Sequence, residues 1–290
     1  MNRFLDLEDS LKSYRKKSPF AIFTLTKRQW SAAQTVNWCD IKNNIVRLGT
    51  EEEEDVWTMP DGITKRRENE PAMLPFLEKY WKEGVKSSNW AADAKKSQSS
   101  KAWSAAFISW IMREAGVKAS HGFRFAGRHM NYIVEALRNR EGERAGMTQY
   151  KDKAFWLYAL NEQDVTKVGI GDLLCMNRKS NGKMTNYTFG GLKRKFFDGG
   201  NHSRNDTYGA SHCDVVISKE KQNGKTYLYA VGGNKGIPGG KNRGWSVNSI
   251  LVEIDEDGKI VNPSKHNIFG FIKLRECSNY NKEISSEISM

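Results

Sequence analysis

Ser104, His212 and Asn234, with Asp214 beside the histidine, are the residues whose types and order could do chemistry. A serine hydroxyl is a weak nucleophile until a base stands within hydrogen-bond reach and a third group orients that base. Ser104 opens the apolar stretch AWSAAFISWIMREAGV, in which Trp103, Ala106, Phe107, Trp110 and Ile111 share one helical stripe that stops at Gly116. A nucleophile there has the positive end of a helix and its free N–H groups to stabilise an oxyanion. The plainer role for a serine in that place is a helix N-cap. His212 opens the strand HCDVVISK and shares a face with Asp214 and Val216, while Cys213, Val215 and Ile217 take the other face. Asn223-Gly224 is a strong hairpin signal. Folding the chain back at that turn sets Asn234 nearly opposite His212, so either Asn234 or Asp214 could orient the imidazole.

His129 and Tyr132 lie one turn apart in HMNYIVEALRN, where they line a cleft unless His129 is simply a buried, hydrogen-bonded histidine. His121, His202, Cys213 and His266 share no zinc-ligand spacing, so neither a metal nor a cofactor is expected. Gly232-Gly233 lacks the strand–helix setting of a phosphate-binding loop.

The elements that must position these residues change character along the chain. Residues 71–84 place Leu74, Leu77, Tyr80 and Trp81 at helical spacing, closed by Gly84. The acidic run Glu51–Asp55 reads as a loop, and the Ser-rich stretch 86–101 as a linker. Helices follow at 103–115 and around 129–139. Beyond residue 164 come short strands at 172–176, 212–219, 226–233, 249–254 and 267–274, with a second hairpin at the DEDG turn. Helices first and an antiparallel meander afterwards predict an α+β fold, and argue against a doubly wound nucleotide-binding sheet.

Composition narrows the partners. Hydrophobic residues at 38% and charged residues at 28% support a packed core and exclude wholesale disorder. The net charge is +12, and residues 178–204 carry seven basic side chains against one acid, Asp198. Such a patch, with Lys193 and Arg194 at its centre, suits an anionic polymer. Nucleic acid is the less favoured polyanion, because no recognition motif accompanies the patch. No apolar run is long enough for a membrane span, and the first residues have no signal-peptide core. Four cysteines far apart without a CxxC fit thiols in a reducing compartment, with Cys213 as a core thiol.

WSAAFISW, then HMNY, GDLLC, HCDVV and VGGN in that order resemble a bacterial domain family of unknown function, itself similar to the CHAP and NlpC-type papain-like amidases and peptidases. The resemblance spans about residues 70–275. It implies a papain-like domain over 70–278, after a mostly helical extension (1–69) and before a flexible tail (279–290). It also implies a nucleophile at the helix start, a histidine opening the next sheet and a polar residue on the following strand: Ser104, His212 and Asn234 or Asp214. Those relatives carry cysteine where this chain has Ser104. Trp103, His129, Tyr132, Lys193 and Arg194 are the expected substrate contacts. The implied activity is cleavage of peptidoglycan by an amidase or peptidase. Such a protein would be made in the bacterial cytoplasm without a Sec signal and delivered to a target periplasm as a type VI effector with a cognate immunity protein, or act as a lysin. The alternatives are a non-catalytic module binding cell wall or protein, and an acyl or lipid ester hydrolase.

Overall fold

The computed structural model describes residues 36–62, 64–180, 182–199, 209–236 and 245–276. The expectations for the N-terminal extension before residue 36, for His202 and Arg204, and for the tail lie outside the described residues. The described residues from Trp38 onward fall in one compact unit.

The described helices are α1 (Trp38–Glu51), α2 (Leu74–Lys79), α3 (Trp90–Ser97), α4 (Ser104–Glu114), α5 (His129–Arg144) and α6 (Phe189–Lys193). The strands are β1 (Phe155–Ala159), β2 (Leu173–Asn177), the two-residue pair β3 (Lys179–Ser180) and β4 (Lys183–Met184), β5 (Ser211–Gln222), β6 (Lys225–Gly236), β7 (Trp245–Ile254) and β8 (Ile268–Leu274). Six of them form an antiparallel sheet in the order β1-β8-β2-β5-β6-β7. The fold is α+β, as the change of sequence pattern predicts. No helix among the described residues is long and apolar enough to cross a membrane.

The β5–β6 hairpin turns at Asn223-Gly224, both with positive φ (50° and 78°), as a primed turn requires. A bulge between Val216 and Ser218 shifts the register by one, after which Val216 pairs with Ala230 and Val215 with Val231. One face of the sheet packs on helices. Gly49 of α1 lies against Val215 and Ile217, and α4 crosses β5 and β6. The other face builds its own core from Leu174, Val216, Leu228, Ala230, Val252 and Phe271. Because α4 is held between the sheet and the helical turn Tyr80–Val85, it is buried from Ser104 through Met112 rather than along one stripe.

Four local expectations are corrected. The stretch read as a linker contains α3, whose Ser97 hydroxyl accepts the Trp81 indole N–H at 2.9 Å and ties it to the core. The acidic run is a continued helical turn, Glu52–Val56, in which Glu52 and Glu53 are buried against Lys79 and Lys65. The DEDG turn does reverse the chain, with backbone bonds from Asp255 N–H to the Lys259 carbonyl and from Val261 N–H to the Glu253 carbonyl, but its return limb is cut to one antiparallel bridge, Ile254 to Ile260. The cysteines among the described residues are not thiols: Cys175 and Cys213 sit directly opposite on β2 and β5 and form a disulfide, and Cys39 is also disulfide-bonded. Strand β1 carries no turn signal in the sequence and pairs at the edge with β8.

Candidate functional site

Ser104 is the first residue of α4, and it does not cap the helix: Trp103 holds the N-cap place, without a side-chain capping bond. The Ser104 hydroxyl is buried and lies 2.6 Å from His129 Nε2. Trp103 is anchored in a stack with Trp57 (4.9 Å between centroids) and Tyr80 (5.8 Å), which fixes the approach of the chain to the serine. Its indole N–H donates to Glu68 Oε2 at 2.6 Å.

His129 opens α5 and is held on its second nitrogen by two groups. The Cys213 backbone N–H donates to Nδ1 at 3.1 Å, and the Tyr132 hydroxyl makes a short contact with the same atom. A backbone amide can only donate, so Nδ1 accepts and the ring proton of the neutral imidazole sits on Nε2. Burial, followed by the nearby His212 and Arg178, holds the His129 pKa well below the ordinary histidine value. Burial and Asp214 raise Tyr132, which keeps its proton. The neutral ring therefore donates its Nε2–H to Ser104 Oγ.

His212 belongs to a different environment. Its Nε2 lies 2.9 Å from Asp214 Oδ1, without the alignment of a hydrogen bond. Its Nδ1 faces an Arg178 guanidinium nitrogen at 3.2 Å. Asp214 is completely buried and also paired with Lys235. Burial opposes the charge on Asp214, yet Lys235 and His212 hold its carboxyl below the usual range. For His212 burial prevails over Asp214, and its pKa is lowered.

Gly232 and Gly233 account for the separation. A Cβ on Gly232 would lie 1.7 Å from Asp214 Oδ1, and one on Gly233 would lie 2.5 Å from the Trp103 ring. The strand thus passes with Asp214 and His212 against one side and α4 against the other. The imidazoles of His129 and His212 come within 4.8 Å at the end of the sheet, but the Ser104 hydroxyl is bonded to His129 and not to His212.

Two cavities follow from this. Ser104, His129 and Glu68 line one of about 560 Å³, rimmed by Lys101, Arg128, Arg178 and Lys179. His212 lines a second of about 350 Å³, with Lys235 and His266. Arg178 and Asn234 border both cavities.

The expected residues are therefore brought together only in part. Ser104 and His129 meet in the first cavity. His212 pairs with Asp214 rather than Asn234. Asn234, at φ 56°, contributes its backbone carbonyl, which accepts from Arg178 at 2.8 Å. Trp103 and Tyr132 are buried supports of Glu68 and His129. Lys193 is engaged by Asp198 (2.6 Å) and Glu141 (3.6 Å), and neither it nor Arg194 lines either of these two cavities. Among the described residues, the cations of the basic segment that reach Ser104's cavity are Arg178 and Lys179. Glu68 carries no motif that could have marked it. Burial raises its carboxyl pKa to about 7, against the pull of the Trp103 bond and the Arg178 charge.

A family model described as an uncharacterized protein conserved in bacteria (DUF2272) matches residues 75–270. No curated protein matches the chain, and no solved structure matches it.

Proposed function

The chain belongs to this uncharacterized bacterial family, and from that premise we propose that it is a serine hydrolase of papain-like layout that cleaves an amide or peptide bond of bacterial peptidoglycan. The observation that carries the reading is the Ser104 hydroxyl at the start of α4, 2.6 Å from His129 Nε2 in a 560 Å³ cavity. In this chemistry Ser104 Oγ bonds to the carbonyl carbon, the C–N bond breaks, and water later releases the acyl group. The fixed His129 N–H stabilises charge developing on Oγ, and amides of the first turn of α4 face the oxyanion. The rim cations suit an anionic wall polymer. The Cys175–Cys213 disulfide suits an oxidising compartment such as the periplasm, reached by a specialised secretion route and countered in the producer by an immunity protein. Purified sacculi incubated with the protein are expected to release new muropeptides on chromatography, and Ser104→Ala to release none. Identical blank traces from both proteins across wall chemotypes would sink the proposal.

One observation favours a second reading. With the Cys213 amide on Nδ1, His129 cannot accept the serine proton, which suits a module that grips a wall fragment without cutting it. That reading expects saturable binding to sacculi that Ser104→Ala leaves unchanged, and no covalent adduct from serine-reactive reagents.

A further inference from the structure

If His129 donates to Ser104, the proton that Ser104 loses on attack must go elsewhere. The cavity holds one carboxylate among its described lining residues, Glu68. The residue is only 4% exposed. One oxygen accepts from the Trp103 indole, and the other makes no hydrogen bond among the described residues. The residue that anchors it, Trp103, is the one immediately before the nucleophile. Glu68 also lies ahead of the family-matched segment, so a part of the chain outside that match completes the cavity.

We infer that Glu68 is the proton acceptor for Ser104, a role that rests on the serine-hydrolase reading of the same cavity. The Glu68 carboxylate takes the Ser104 hydroxyl proton, directly or through one water, as Oγ bonds to the carbonyl carbon. It then passes that proton to the leaving nitrogen as the C–N bond breaks. In the second half it takes a proton from the attacking water and returns one to Ser104 Oγ, so the enzyme ends as it began. A carboxyl that titrates near neutrality is suited to both transfers. The charged and titratable groups sharing its cavity are Arg178, Lys101, Arg128, Lys179 and His129, and of these the Arg178 charge, with the Trp103 bond, opposes the rise.

The test uses a fluorophosphonate, which needs no knowledge of the natural substrate. Ser104 Oγ bonds to phosphorus, fluoride leaves, and the hydroxyl proton goes to the base. The labelling rate of the full chain, followed by intact mass between pH 5 and 9, is expected to rise with pH through about 7. Glu68→Gln should slow labelling about 100-fold and remove the rise. Trp103→Phe, which removes the bond that lowers the carboxyl, should move the rise to higher pH. If Glu68→Gln labels at the wild-type rate with the rise intact while Ser104→Ala does not label, Glu68 is not the base and the hydrolase reading stands. If folded wild type never labels at Ser104, both fall together.

Discussion

The two histidines at the end of the sheet sit 4.8 Å apart, yet their surroundings differ in kind. His129, on the helical side, is gripped by a backbone amide and a tyrosine hydroxyl and presents its remaining N–H to a serine beside an open cavity. His212 is enclosed by charges, with Asp214 and Lys235 on one side and Arg178 on the other. A neutral ring fixed by neutral donors is set up to act on a neighbour. His212, whose charged form burial disfavours, packs inside an ion cluster in which Lys235 is the cation paired with Asp214. Proximity alone does not make a dyad; the partner of each nitrogen decides what a histidine can do.

Removing each ring in turn separates the two histidines most sharply. His129→Ala should lower the fluorophosphonate labelling rate of Ser104 by about 100- to 1000-fold, the usual effect of losing one donor at a developing charge. His212→Ala should cost less than about tenfold in labelling and appear mainly as a lower Tm, because Asp214 and Lys235 lose a neighbour. The reverse ranking would make His212 the operative partner.

Next in size is the Cys175–Cys213 bond, which fastens β2 to β5 at the residue whose amide holds His129. Its sequence separation of 38 residues corresponds to about 4 kcal/mol in the chain-entropy view. Denaturant unfolding of Cys175→Ser should show a loss of that order, with slower Ser104 labelling as the amide loosens. Gly232→Ala should cost about 1–3 kcal/mol by pressing on the buried Asp214, measured as a shift in the denaturant midpoint.

A last effect is a pH dependence confined to the helical side. The Glu68 carboxyl is raised from 4.5 to about 7 in the folded chain, so the folded state binds the proton more tightly. The associated stability is fully present below pH 4.5, declines between 4.5 and about 7, and is absent above. Thermal unfolding of Glu68→Gln should lack that decline, and a wild-type Tm that does not fall across the window would contradict the buried carboxyl.

Much of this arrangement was legible from local pattern. The stretch 103–115 reads as a helix because its apolar residues recur at helical spacing, and Asn223-Gly224 reads as a hairpin because both residues tolerate positive φ. Strand alternation correctly placed His212 and Asp214 on one face and Cys213 and Val215 on the other. What alternation cannot show is which face receives α4. That depends on Gly233 admitting Trp103 and Gly49 admitting Val215 and Ile217, contacts made across long stretches of chain. The same limit hid the disulfide, which needs β2 to lie beside β5, and it hid Glu68, placed by an indole 35 residues away.

The proton of His129 decides what the ring can do for Ser104, and long-range 1H–15N correlation of the histidine rings reads it directly. The expected spectrum shows His129 protonated on Nε2, with Nδ1 an unprotonated acceptor, and neutral from pH 8 down past 6.5, since its pKa is held well below that value. A ring protonated on Nδ1, or one that titrates near 6.5, would contradict the fixed-donor geometry and return the serine proton to His129.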